Sequence, residues 1–320
     1  MKATSRRHTY PVLTLLAIAL ATYPSLQCST QADPYTAEAD EQRLVVRDPG
    51  GGELLTYNRV IPEDVALTTE SGSYFHPFNT PNGIRVTGLN PEDHLYHRGI
   101  FFGWIEMQGE QSADFWGWGR FAPRENRRIV NRAVSDVHAG DEGAGFVSEN
   151  DWMAGDTLML TERLEAHVRQ IEGANVLDLT YTVTPTTDIT LPQRAFGGFC
   201  FRTRIDGEIQ RFDPQGVVTL PAPNALEPES NWPPQRWYAY TLDVPEEDSL
   251  FGGAVIDHPE NPASTWHNVF DIGLLQPTIV AEGDVELPAD EPLTLRYRAV
   301  TFDGEVPTAL LDRLAAEWGH

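Results

Sequence analysis

The densest concentration of proton-carrying and ligand-binding side chains falls between residues 74 and 119, which read YFHPFNTPNGIRVTGLNPEDHLYHRGIFFGWIEMQGEQSADFWGWG. This stretch holds His76, His94 and His97, three of the chain's nine histidines, with Asp93, Arg98, Glu106, Asp114, Trp104, Trp116 and Trp118. A solvated loop has no use for so many aromatics, and a plain core has none for so many ionisable groups. A polar cleft with aromatic walls uses both. Imidazole titrates near neutral pH, so His76, His94 and His97 are candidates for general acid–base work, with the Glu106 and Asp114 carboxylates as partners. Arg98 and Arg202 offer planar forks of donors for an anion or hydroxyl. His94 and His97, three apart, would share a face of a helix and oppose each other on a strand. Asn90-Pro91-Glu92 favours a turn there, from which both can converge. His76 precedes Pro77, which biases it to an extended backbone at the end of an aromatic strand.

A second cluster comprises Asp257 and His258, at the end of the apolar run GAVI, with Trp266 and His267 close behind. His258 joins the catalytic candidates. Asp93, Asp114, Trp116, Arg202, Trp232, Asp257, Trp266 and His267 are the candidate substrate-binding residues, with Trp116 expected to stack on a ligand. The competing reading of Asp-His-Pro-Glu-Asn-Pro is a turn, and the remaining tryptophans suit a core. No cofactor is required. If a metal is bound, imidazoles of His76, His94 and His97 suit zinc or copper, although no HExxH or paired-cysteine spacing is present.

The elements that position these residues read as strands. RLVVR (43–47), ELLTYNRVI (53–61), GIRVTGL (83–89), GIFFGWIEM (99–107) and RIVNRAVSDVHAG (128–140) are followed by the runs at 157–173, 175–186, 196–205, 236–244, 253–257 and 292–302. From Val176 to Val183 apolar residues alternate with Asp178, Thr180 and Thr182, the mark of a strand with one buried face. Only 306–318 reads as helix, with Pro307 near its start and Leu310, Leu314 and Trp318 recurring at fours. Many strands without alternating helices predict an all-β, large antiparallel β-sandwich with a short C-terminal helix, occupying 42–320 as one domain.

Residues 1–28 read as a signal peptide: Lys2, Arg6 and Arg7, then the apolar run Val12 to Ala21, too short to span a bilayer. Arg6-Arg7 suggests a twin-arginine route, and Cys28 is a candidate lipid-anchor site. Residues 29–41 are expected to be a flexible linker. The mature chain is therefore expected to be exported, periplasmic or extracellular, with no transmembrane segment. Cys28 and Cys200 are the two cysteines, so no disulfide framework is expected. Removing the three positive charges of the leader takes the net charge from −24 to −27, which argues against nucleic-acid partners. Lys2 is the one lysine, so Schiff-base chemistry in the mature chain is excluded.

The order YFHPFNTPNG, DHLYHRGIFFG, ADFWG, and then FGGFCFRT (196–203), NWPPQRWYAY (231–240) and VIDHPENPASTWH (255–267) resembles the DUF6807 family, also labelled "methane oxygenase PmoA". Leu95 and Tyr96 stand where that family commonly has Pro and the first of two paired histidines. Trp104-Ile105-Glu106 stands near a common His-Gly-Asp run. The resemblance implies a supersandwich similar to that of galactose mutarotases and sugar-lyase domains. Together these readings predict an exported carbohydrate-active enzyme, an isomerase or epimerase, lyase or hydrolase, working by His/carboxylate acid–base chemistry on a small carbohydrate ligand. The alternatives are a non-catalytic carbohydrate-binding protein and, as the family label suggests, a metal-dependent oxygenase.

Overall fold

Alternation of apolar and polar residues builds two large antiparallel sheets. The computed structural model describes Met1 and residues 34–319; the expected leader, Cys28 and the first part of the expected linker lie outside the described residues. One sheet has seven strands in the order Thr36–Ala39, Arg43–Arg47, Glu53–Asn58, Tyr74–Phe78, Ile100–Gly103, Gly198–Arg202, Leu274–Leu275. The other has nine, in the order Gly216–Val217, Glu208–Asp213, Trp237–Asp243, Phe251–Asp257, Leu293–Asp303, Ala174–Pro185, Thr157–Ile171, Gly143–Ala154, Arg127–Gly140. A smaller four-stranded sheet includes Met107–Gln108 and Ile189–Leu191.

The two large sheets share a core, as expected for a sandwich. Phe102 stacks on Tyr181 at 4.5 Å and Phe199 on Tyr297 at 4.4 Å, each pair joining one sheet to the other. Leu177, Leu179, Tyr181 and Val183 face this core, whereas Val176 belongs to the packing on the far side of the same strand. That far side is covered by the helix Thr308–Ala316, whose Leu310, Leu311 and Leu314 pack with Trp237, Ile256 and Val300. The seven-stranded sheet likewise has a second apolar layer on its outer face. Tyr74, Phe101, Cys200 and Leu274 meet Ile105, Trp116 and Phe196 from the covering loops there.

Three sequence expectations need correction. Ordered structure begins before residue 42, because Thr36–Ala39 pairs with Arg43–Arg47 and the buried Tyr35 accepts a hydrogen bond from the Gln170 backbone. The run 83–89 is not a strand. It touches three different segments through isolated bridges, Asn79 to Arg85, Thr87 to Thr203 and Leu89 to Arg98, so no continuous ladder forms. The run 99–107 divides into Ile100–Gly103 and Met107–Gln108, which belong to different sheets. Among the described residues, no helix is long and apolar enough to cross a membrane.

Candidate functional site

The outer face of the seven-stranded sheet carries the histidine cluster. Two successive turns follow Leu89: the His94 amide donates to the Pro91 carbonyl and the His97 amide to the His94 carbonyl, each at 2.9 Å. The chain then re-enters the sheet through Gly99, at φ 63°, where a side chain would collide with the Phe75 carbonyl. These turns stack the rings of His94 and His97 at 4.8 Å with 17° between their planes. Tyr96 meets both rings edge-on, at 5.6 and 4.8 Å.

His94 and His97 line a pocket of about 120 Å³ with Tyr96, Trp118, Phe196, His267 and Leu274. It has room for only a few water molecules, or for one small polar end of a ligand. Nδ1 of His94 lies 2.9 Å from Oδ2 of Asp93, within ion-pair range but off the line of a good hydrogen bond. Nδ1 of His97 is buried and has no partner. Burial, reinforced by the charges of Arg202, His94 and Arg98, holds His97 well below the ordinary imidazole range, so its ring is neutral at neutral pH. His267 stacks on Phe196 at 4.8 Å, and its Nδ1 is 2.8 Å from Oδ1 of Asn231. Burial pushes its pKa down to about 3.

The other candidates have different surroundings. Arg98 is fully buried and donates to the carbonyls of Tyr96, Trp116 and Phe115 at 3.1–3.3 Å, while lying over the Phe101 ring. It ties two covering loops together and does not reach the pocket. Asp114 accepts hydrogen bonds from the Gly117 and Gly119 amides, which fixes its own loop; burial nevertheless raises its pKa to about 6. Trp116 is wholly buried, its ring edge-on to His97 at 5.8 Å, so it backs the histidine and is no exposed stacking platform. Trp232 and Trp266 belong to the inter-sheet core and bridge to each other by backbone. Glu106 pairs with Arg194 and accepts from Gln108, away from the pocket lining.

His76 lies on the same strand face as Tyr74 but bonds Thr87 Oγ1 at 2.9 Å and does not line the pocket; burial, with the Arg85 charge, lowers its pKa to about 4. His76, His94 and His97 therefore do not assemble into a metal-binding triple. Among the described residues no group of three His, Cys, Asp or Glu side chains is arranged to hold a metal ion. The residues present do not fit the metal centre implied by an oxygenase label.

Asp257 and His258 sit elsewhere, in a larger groove of about 470 Å³ beside Arg236, Gln235 and Pro214. Size favours this groove, because small-molecule sites commonly exceed about 300 Å³. Chemistry favours the histidine pocket. In the groove Asp257 accepts from Asn261 and Ser264, Arg236 pairs with Asp312, and His258 Nδ1 accepts from the Glu260 amide. Most of the groove's polar groups are turned toward neighbours in the chain, although Arg236 Nε has no partner; in the pocket His267 is held by Asn231, and the Nδ1 atoms of His94 and His97 lack a well-formed hydrogen bond.

Phe196 on the pocket wall, and Asn231 behind it as the partner of His267, were not among the residues singled out from the sequence. Both lie in the segments FGGFCFRT and NWPPQRWYAY, whose aromatic and glycine content was the available signal.

The chain matches the model of the family described as "Family of unknown function (DUF6807)" over residues 45–316. No curated protein matches it. Among solved structures it is similar to a galactose mutarotase-like protein from Lactobacillus casei, at 12% identity and TM-score 0.36, covering 83% of this chain and 99% of that one. It is also similar to an α-galactosidase from Lactobacillus brevis, at 9% identity and TM-score 0.39, covering 87% of this chain and 41% of that one. A third likeness is to a polysaccharide lyase, at 10% identity and TM-score 0.35, covering 85% and 33%.

Proposed function

The chain belongs to the DUF6807 family, and we propose that this member is a carbohydrate-active enzyme that moves protons on a small sugar-derived molecule held at the outer-face pocket. The observation that carries the reading is the stacked pair His94–His97, with Asp93 beside one ring and an unpartnered buried nitrogen on the other. The two histidines have different environments, and a difference of that kind separates acid from base. His94, with the Asp93 carboxylate 2.9 Å from its Nδ1, is the group assigned to take a proton from the ligand. His97 is kept neutral and serves as the hydrogen-bonding group for an oxygen on which negative charge develops. Proton removal and return at one carbon gives an epimerase or isomerase; loss of a neighbouring oxygen substituent after proton removal gives a lyase.

The test uses the full mature chain with a panel of neutral and acidic monosaccharides in D2O, following C–H to C–D exchange and product formation by NMR. A ligand should exchange one C–H position, and His94→Gln and His97→Gln should each slow that exchange by about 10²–10⁴-fold while melting as the parent does. Ligand binding with no exchange and no product would instead identify a non-catalytic carbohydrate-binding protein. Export of the mature chain, expected from residues 1–28, is part of the proposal and is checked by the N-terminal sequence of the protein recovered from the producing cell.

A further inference from the structure

Arg202 is 1% exposed, and its Nε and Nη1 are buried without a hydrogen-bond partner. It ends the strand Gly198–Arg202, in which Phe199 and Phe201 face the inter-sheet core and Cys200 the outer face. Alternation puts Arg202 on that outer face as well. Its cross-strand partner is Leu274, and Leu274 and His97 both line the histidine pocket; Arg202 itself lies behind that wall, near enough for its charge to act on His97. Cys200 does not neutralise the guanidinium, because burial pushes the thiol pKa far up and keeps it uncharged. The carboxylate whose charge acts on Arg202 is Asp93, half exposed and placed against His94. Arg98, equally buried, differs in that both its Nη atoms donate to carbonyls, leaving only Nε without a partner. Two guanidinium nitrogens taken out of water with no acceptor are unfavourable, and arginine does not escape by losing its proton. Its planar fork matches two coplanar oxygens of one anion.

We propose that the molecule bound at the pocket carries a carboxylate received by Arg202, so that the substrate class is sugar acids rather than neutral sugars. The inference rests on the acid–base reading of the same pocket and adds the group that anchors the ligand. A free inorganic anion shares the charge, but it cannot use the apolar faces of Tyr96, Trp118 and Phe196 on the pocket wall. The carboxylate also has a place in the chemistry. When His94 takes the proton from the carbon next to it, the C–H electron pair moves into the carboxylate as an enediolate. Arg202 neutralises that charge until the carbon is reprotonated, or until the former C–H pair forms a C=C bond and the β-oxygen leaves with the C–O pair.

The test is calorimetric titration of the full mature chain with galacturonate and gluconate, with galactose and glucose as neutral counterparts, and with inorganic phosphate. At least one acid should bind about tenfold or more tightly than its neutral counterpart. Arg202→Met should remove that advantage and leave the neutral affinity unchanged. Arg202→Lys, which keeps charge but loses the fork, should fall between. The ligand-free Arg202→Met protein should melt roughly 2–4 °C higher than the parent, since an unpartnered charge has been removed. Equal binding of acids and neutral sugars, acid binding that survives Arg202→Met, Arg202-dependent binding of phosphate alone, or a lowered melting temperature in Arg202→Met would each overturn the proposal. Arg202-dependent acid binding with no His94-dependent exchange would leave this inference standing and remove the acid–base reading. His94-dependent exchange on a neutral sugar would do the reverse.

Discussion

Two buried polar clusters, one on each face of the seven-stranded sheet, differ in how completely their side chains are paired, although Trp104 Nε1 and Trp266 Nε1 in the inter-sheet core are also unpartnered. The inner cluster lies between the sheets. Glu162 accepts from Asn150 Nδ2 at 2.7 Å and from Trp152 Nε1 at 2.9 Å. Asn150 Oδ1 accepts from Ser73 and Asn131 at 2.9 Å, and Tyr57 bonds Ser148 at 2.8 Å. None of these side chains has a buried atom left unpartnered. In the outer cluster Tyr74 Oη, His97 Nδ1, Trp116 Nε1 and two Arg202 nitrogens are all buried and unpartnered. Buried polar groups in native proteins are overwhelmingly hydrogen-bonded. A saturated network therefore reads as part of the fold, and an unsaturated one as a place completed from outside.

The largest effect that would sharpen this contrast is loss of the inner carboxylate. Glu162→Ala leaves the Asn150 and Trp152 donors without an acceptor inside an aromatic core and opens a cavity, and it should destabilise the protein by about 3–5 kcal/mol in denaturant unfolding. A loss under about 1 kcal/mol would show that the inner network is not a structural unit.

The next effect concerns pH. Burial raises the Glu162 pKa from 4.5 to about 7. A carboxyl that holds its proton more tightly when folded contributes stability that is fully present below about pH 4.5 and lost as pH rises through about 7, roughly 3 kcal/mol across that window. On the outer face His76 is displaced the other way, from 6.5 to about 4. The fold prefers its neutral form, so its contribution is present above pH 6.5 and lost as pH falls through about 4. The two slopes oppose each other where the windows overlap. Relative to the parent, whose profile also carries the buried His97, His267 and Asp114, Glu162→Gln should gain stability as pH rises from about 4.5 to 6.5, and His76→Asn should lose it. Two variants with the same slope as the parent would show that the titrations belong to other groups.

How much of this was legible in the sequence follows from range. Alternation is local, so the strand Ala174–Pro185 and the helix Thr308–Ala316 could be read directly from Val176 to Val183 and from the leucines at 310 and 314. The His94–His97 convergence was also local, set by Asn90-Pro91-Glu92. The partition of 99–107 between two sheets was not legible, because it depends on pairing with Gly198–Arg202 and Ile189–Leu191, far along the chain. The same holds for the site. Residue type identified His94, His97 and Arg202 as able to do chemistry, but it could not show that Glu106 would pair with Arg194 or that Arg98 would tie loops. Glu162 drew no notice in the sequence, since one acid among 47 Asp and Glu residues carries no sign that it will be buried.

The smallest effect is the most direct comparison, since it makes one chemical change in both clusters. Tyr57→Phe and Tyr74→Phe each delete a hydroxyl from a fully buried ring. At Tyr57 the deletion removes a partner from Ser148, so about 1 kcal/mol of stability should be lost. At Tyr74 no hydrogen bond is lost and an unpartnered oxygen leaves the interior, so the change should lie within about 0.5 kcal/mol of zero or be stabilising. Both variants can be measured by urea unfolding under identical conditions, where the difference between them cancels the shared effects of the Tyr-to-Phe replacement. Equal losses at the two sites would mean that the outer hydroxyl is already bonded in solution, and the distinction between a saturated inner cluster and an outer cluster awaiting a ligand would fail at that residue. A near-zero result at Tyr74 together with a loss at Tyr57 would show that the Tyr74 hydroxyl, on the outer face, is unsatisfied in solution.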